Sequence, residues 1–138
     1  MGMNEQIAQA IVSDMKRVWG GALPTWENYK DCLELGRVRV NKTVAAKTFF
    51  SDPVPKVYLV FYGVITPAAA ILAFPGVFVA WLVFSFSAWW LLTGVVLTYA
   101  FLKLTRAGHC AAIKSGARKN KDFYEHLIEH GAFFFTQK

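Results

Sequence analysis

Two histidines come closest to catalytic spacing in this chain. His126 and His130 are four residues apart, share one helix face, and are flanked by Glu125 and Glu129. Zinc proteases combine two histidines at this spacing with a glutamate directly after the first, which serves as general base. Here that position is Leu127, so the base is missing and the pair reads as solvated or interface histidines, not metal ligands. Cys32 and Cys110 stand apart, with no C-x-x-C. On the reducing side of a membrane they are expected to remain thiols. His109 and Cys110 are neighbours in sequence, but adjacent residues on a helix point in different directions and make a poor nucleophile–base pair. No G-x-G-x-x-G or P-loop lysine pattern occurs. The residues therefore predict a non-enzymatic protein with no cofactor and no metal.

The elements that carry these residues are set by where the charge goes. Of 138 residues, 55% are hydrophobic and 17% charged, against roughly 25% charged in soluble domains. That composition excludes a disordered chain and argues against an ordinary soluble enzyme. The net charge of +6 is concentrated around a gap. Between Lys56 and Lys103 no Asp, Glu, Lys, Arg or His occurs over 46 residues. The gap also lacks Cys and Met, so it has no common side-chain ligand for haem, and no carboxylate or base for a proton path.

A single helix of that length would measure about 69 Å at ~1.5 Å per residue, whereas one crossing takes about 20 residues. The run therefore predicts a transmembrane hairpin with spans near 57–76 and 83–102. Pro75-Gly76 is a turn dipeptide and Trp81 suits an interface, which places the reversal at 75–81; a reversal at 85–88 is the alternative. Pro67 is expected to kink the first helix. Ala69 and Ala73 form a small-xxx-small pair that permits close helix contact.

Within 37–56 stand Arg37, Arg39, Lys42, Lys47 and Lys56, and within 103–122 stand Lys103, Arg106, Lys114, Arg118, Lys119 and Lys121, against Asp52 and Asp122 alone in those windows. The connecting turn is uncharged. Positive flanks stay on the cytoplasmic side or its organellar equivalent, so both termini are expected there, in a two-pass protein. Arg37, Arg39, Lys56, Lys103 and Arg106 are candidate contacts for anionic lipid, and nucleic acid is not an expected partner.

The flanking segments read as helical arms. Ile7, Ile11, Met15 and Val18 mark an amphipathic helix over 5–19, with Asn4 as cap and Gly20-Gly21 as stop. A second helix is predicted from Trp26 to Glu34, capped by Thr25 and ended by Gly36. Arg37–Val40 suits either an extended segment or a continuing helix. Asp52-Pro53 should open the first membrane helix. Residues 114–121 read as a solvated polar stretch, and 122–130 return to a helical pattern. Phe133, Phe134 and Phe135 should not remain in water and mark a partner surface. No secretory signal or mitochondrial presequence pattern opens the sequence.

The segment through Arg39–Asn41, Tyr58, Pro75 and Trp90–Gly94 to His109 resembles prenylated-Rab-acceptor membrane proteins. Those carry a basic residue and Asn before short membrane helices, and an aromatic-Gly-then-His segment at the end. They have two helix pairs where this chain has room for one. The resemblance implies a membrane-shaping or trafficking adaptor. The short apolar hairpin before a basic segment also resembles the small two-span inner-membrane components of type IV secretion systems.

The expected architecture is thus all-α and integral to a membrane: an amphipathic arm over 1–52, a hairpin over 53–103 and a basic amphipathic arm over 104–138. The function expected from it is that of a structural or assembly subunit. Its partners would be other integral subunits of an energy-transducing assembly in a mitochondrial or bacterial inner membrane.

Overall fold

The structure is a computed structural model and describes residues 2–136. The chain is mostly helical, as its composition implies. Helix α1 (Met3–Val18) starts at Gly2, whose N–H donates to the Glu5 carboxylate at 3.1 Å; Asn4 lies inside the helix instead of capping it. It ends at Gly20 and Gly21, which adopt φ of 74° and 97°, the left-handed region that glycine enters at no steric cost. Helix α2 (Trp26–Glu34) follows the expected bounds, with the Thr25 hydroxyl accepting from the Asn28 amide and Gly36 at φ 66° beyond its end.

Strand β1 (Val38–Val40) settles the ambiguous segment as extended. It pairs antiparallel with β2 (Phe133–Phe135), aligning Val38 with Phe135, Arg39 with Phe134 and Val40 with Phe133. Flanking bonds from Asn41 N–H to Ala132 O (2.7 Å) and Thr136 N–H to Arg37 O (2.8 Å) extend the ladder. Helix α3 (Lys42–Thr48) begins at Asn41, whose side chain accepts from the Thr43 amide.

Two compact units result. The segments before Lys56 and after His109 fold together, and Lys56–His109 forms the second unit. In the first unit the two ends of the chain share one core. Tyr29, Ala45, Phe49, Ile113, Ala117, Tyr124, Leu127 and Phe133 are all buried there. The Tyr29 ring stacks on Tyr124 at 4.7 Å and lies 5.0 Å from Phe133, while Trp19 meets Phe135 edge-on at 5.8 Å. Such pairs add roughly 0.5–1.5 kcal/mol each beyond the area they bury. Three long bonds fasten the helices: Tyr124 Oη to Pro24 O (2.7 Å), Tyr29 Oη to Lys114 O (3.0 Å) and Trp26 Nε1 to Ala117 O (2.9 Å). The expected pair of separate arms is thereby corrected. The arms are halves of one folded unit, because each supplies an apolar face that the other covers.

The second unit holds α4 (Lys56–Phe84), the one helix among the described residues long and apolar enough to cross a membrane. It starts at Lys56, not at Asp52-Pro53; those residues form a tight turn closed by Val54 N–H on Ser51 O at 3.0 Å. Pro75-Gly76 lies within the helix, and the chain reverses at residues 85–89, with Ser85 at φ 52°. The reason is energetic: a proline inside a helix forfeits one backbone bond, whereas a turn frees several at once. Helix α5 spans Trp90–Lys119. Residues 114–119 are therefore helical instead of a solvated loop, with Gly116 and Ala117 buried. Helix α6 (Lys121–Glu129), capped by Asn120, buries Phe123, Tyr124, Leu127 and Ile128.

Candidate functional site

Within the second unit α4 and α5 pack antiparallel along a stripe of small and hydroxyl side chains. Thr105 Oγ1 donates to Thr66 Oγ1 at 2.7 Å, both buried. Gly94 lies against Phe74 and Val77, and Gly108 against the Tyr62 ring, so close that a Cβ there would fall onto the ring. Thr66, Ala70, Ala73 and Val77 recur at helical spacing on α4, as do Gly94, Thr98, Thr105 and Gly108 on α5. Ala70 is buried, and the expected contact pair Ala69 and Ala73 is half-buried beside it. Small residues let two backbones approach closely.

The other face of the pair is wide and apolar. Val57 is 78% exposed and Ile71 73%. Only 6% of the most apolar stretch of α4 is buried within the protein. Lys56, Lys103 and Arg106 are all exposed.

Pro67 acts differently from the expected kink. The five residues before Thr66, Phe61–Ile65, form a π-turn in which the Thr66 N–H reaches Phe61 O. In that register Tyr62 O would accept from the amide of residue 67, which is proline and has no hydrogen. His109 Nε2 lies 3.3 Å from Tyr62 O and donates to it, since a carbonyl only accepts. Sequence reading weighed His109 as a catalytic partner of Cys110 and missed this role; the signal that could have found it is Pro67, whose lost bond requires a donor elsewhere. Replacing His109 with leucine should cost about 1–3 kcal/mol by stranding that carbonyl. In a Pro67→Ala background the cost should shrink, because the new amide supplies the donor. A double-mutant cycle read by unfolding in detergent micelles checks this; additive effects would refute it.

In the first unit His126 and His130 border a cleft of about 420 Å³ between α1, α3 and α6. Their rings lie 4.4 Å apart, and His130 Nδ1 donates to His126 O at 2.7 Å. Glu5, Lys47 and Glu129 also line it. Among the described residues no group of three or more His, Cys, Asp or Glu is placed to hold a metal ion. Cys32 and Cys110 are both free thiols. Burial raises the Cys110 thiol above its ordinary value, a shift that Lys42 and Lys114 only partly oppose, which disfavours the reactive thiolate.

The candidate contact residues scatter. Phe133 is fully buried in β2, and Phe134 and Phe135 are half-buried; their demand for cover is met inside the chain. Arg39 is exposed on β1 opposite Phe134, and Arg37 gives its carbonyl to Thr136.

Burial raises Tyr29 above the ordinary phenol value, with Arg118 opposing, and burial, then Tyr29, Cys32 and Glu125, raise Tyr124. A raised folded-state pKa means that the unfolded chain loses these protons first. Stability is therefore full below about pH 10 and falls as pH rises beyond it. Circular dichroism against pH should show alkaline loss of structure beginning there, and Tyr29→Phe with Tyr124→Phe should flatten the slope.

No protein-family profile, no curated protein and no solved structure matches the chain. The functional reading rests on the geometry alone.

Proposed function

We propose that this is an integral membrane protein whose α4–α5 pair is embedded as a two-pass hairpin, and that it serves without catalysis as a structural or assembly subunit of a larger membrane complex. The observation that carries the reading is the outer face of the pair, charge-free from Val57 to Leu102 and exposed along its length. An apolar surface of this kind is stable against lipid or against other membrane helices and not against water. The flanking bases keep both chain ends on the cytoplasmic or matrix side, beside anionic headgroups. A mitochondrial or bacterial inner membrane, with its energy-transducing assemblies, is the proposed setting.

A second reading is a free-standing membrane-shaping adaptor. It is favoured by the self-contained first unit, whose two arms cover each other instead of offering loose adhesive faces. Native gel electrophoresis with mass spectrometry, after mild detergent extraction from the source membrane, decides between them. Comigration with a large complex at fixed stoichiometry supports the subunit reading. Migration as a small stable species rejects it in favour of the adaptor.

A further inference from the structure

The two helices of the pair carry charge-free stretches of unequal length. On α4 the stretch runs for 28 residues, Val57 to Phe84, and on α5 for 13, Trp90 to Leu102. At ~1.5 Å per residue these measure about 42 and 20 Å. A typical bilayer has about 30 Å of hydrocarbon and measures about 40–45 Å with its headgroups. Helix α4 therefore fits the whole bilayer, with Lys56 at one surface and the turn at 85–89 at the other. There the backbone groups freed by the turn meet headgroups or water, and Trp89 and Trp90, both exposed, suit the interface.

Lys103 and Arg106 do not reach the level of Lys56. The contacts Thr66–Thr105, Tyr62–Gly108 and Phe74–Gly94 fix the register of α5. They bring Lys103 level with Ala68 and Arg106 level with Ile65, 12 and 9 residues along α4 from Lys56. Those levels lie about 18 and 14 Å from Lys56, past a headgroup layer of roughly 5–8 Å. At this depth α4 presents Val64, Ile65 and Ile71, all exposed. Arg106 can bring its guanidinium to the headgroups along its stem; the Lys103 ammonium, a turn deeper, stays below them.

The counter-charge must come from outside this unit. Residues 56–109 contain no Asp or Glu, and neither Lys103 nor Arg106 joins an ion pair among the described residues. Tyr99, Lys103 and Arg106 follow i, i+4, i+7 spacing, one exposed stripe on α5. Helix α4 meets α5 at other positions, Gly94, Thr105 and Gly108. Bases at membrane depth face protein or a wet cavity and pair with acids. We infer that this stripe receives a membrane-spanning helix of a partner subunit that carries an Asp or Glu inside its apolar run, the carboxylate resting on the Lys103 ammonium. This rests on the subunit reading above and names the chemistry of the partner.

The test treats the source membrane with dicyclohexylcarbodiimide, which dissolves in the bilayer and activates carboxyl groups there. A lysine amine in contact attacks the activated carbonyl, expels the urea and forms an amide. Digestion and mass spectrometry should find Lys103 joined to an Asp or Glu inside an apolar run of another chain. Exchanging the bases, Lys103→Arg with Arg106→Lys, should move the amide to position 106 and keep the protein in its complex. Lys103→Leu with Arg106→Leu should leave the protein in the membrane but reduce comigration with the complex on native gels by about tenfold or more. No amide at Lys103, an amide only to lipid or to an acid in a polar segment, or full comigration after the leucine substitutions overturns the inference and leaves the subunit reading intact. Wild-type protein that runs as a small free species rejects the subunit reading itself, and its release by alkaline carbonate rejects membrane insertion.

Discussion

Phe133→Ala is expected to remove about 3–5 kcal/mol from the stability of the first unit, the range for truncating a buried phenylalanine. Phe133 is fully buried, lies 5.0 Å from Tyr29 and 5.9 Å from Tyr124, and pairs with Val40 across the ladder. Its loss opens a cavity where strand, α2 and α6 meet. Domains commonly have only 5–15 kcal/mol in total, so the change should lower the unfolding midpoint sharply in denaturant titrations followed by near-ultraviolet circular dichroism. The adhesive-tail reading of the same residue predicts the opposite pattern, unchanged folding with a lost partner. Phe134→Ser supplies the contrast. Its side chain shares the opposite face of the ladder with exposed Arg39, and its cost should stay under about 1 kcal/mol, nearer a surface substitution.

Gly131→Ala should be nearly as damaging, for a backbone reason. Gly131 sits just past α6 at φ 69°, and a Cβ there would lie 2.6 Å from Ala8 O and 2.9 Å from Ala8 Cα. Those atoms belong to the backbone of α1 and cannot rotate aside. The left-handed conformation costs a non-glycine residue about 1–2 kcal/mol, and forced overpacking adds about 1–3 kcal/mol. Gly36→Ala separates the two terms. Gly36 has φ 66° with nothing within 4 Å of its added Cβ, so it should show the conformational cost alone. Thermal unfolding of the two variants side by side should place Gly131→Ala well below Gly36→Ala; equal shifts would mean that α1 does not dock against this turn.

Much of the local structure was legible in the chain. Thr25 and Gly36 bound α2 because a hydroxyl caps and a glycine stops, and both effects act within a few residues. The helical recurrence of Ile7, Ile11, Met15 and Val18 marked α1 for the same reason. The 46-residue charge gap marked the second unit, since the absence of every Asp, Glu, Lys, Arg and His over that length sets it apart from its flanks.

Tertiary structure decided what local signals could not reach. Pairing β1 with β2 joins residues nearly a hundred positions apart, and no periodicity in Phe133–Phe135 announces Val38–Val40 as its cover. The three phenylalanines asked for a dry environment; only the fold could say that it lies within the chain. The reversal of the helix pair was legible only as the alternative at 85–88, behind the preferred 75–81. Pro75-Gly76 is a turn signal in water, where freed amides find solvent, but inside an uncharged run the helix keeps its backbone bonds and the turn moves on to Ser85. Pro67 showed by type that one bond would be lost. Where the donor would come from, His109 on the neighbouring helix, depended on the register of α4 against α5. That register is set by side chains meeting across space, which sequence order does not record.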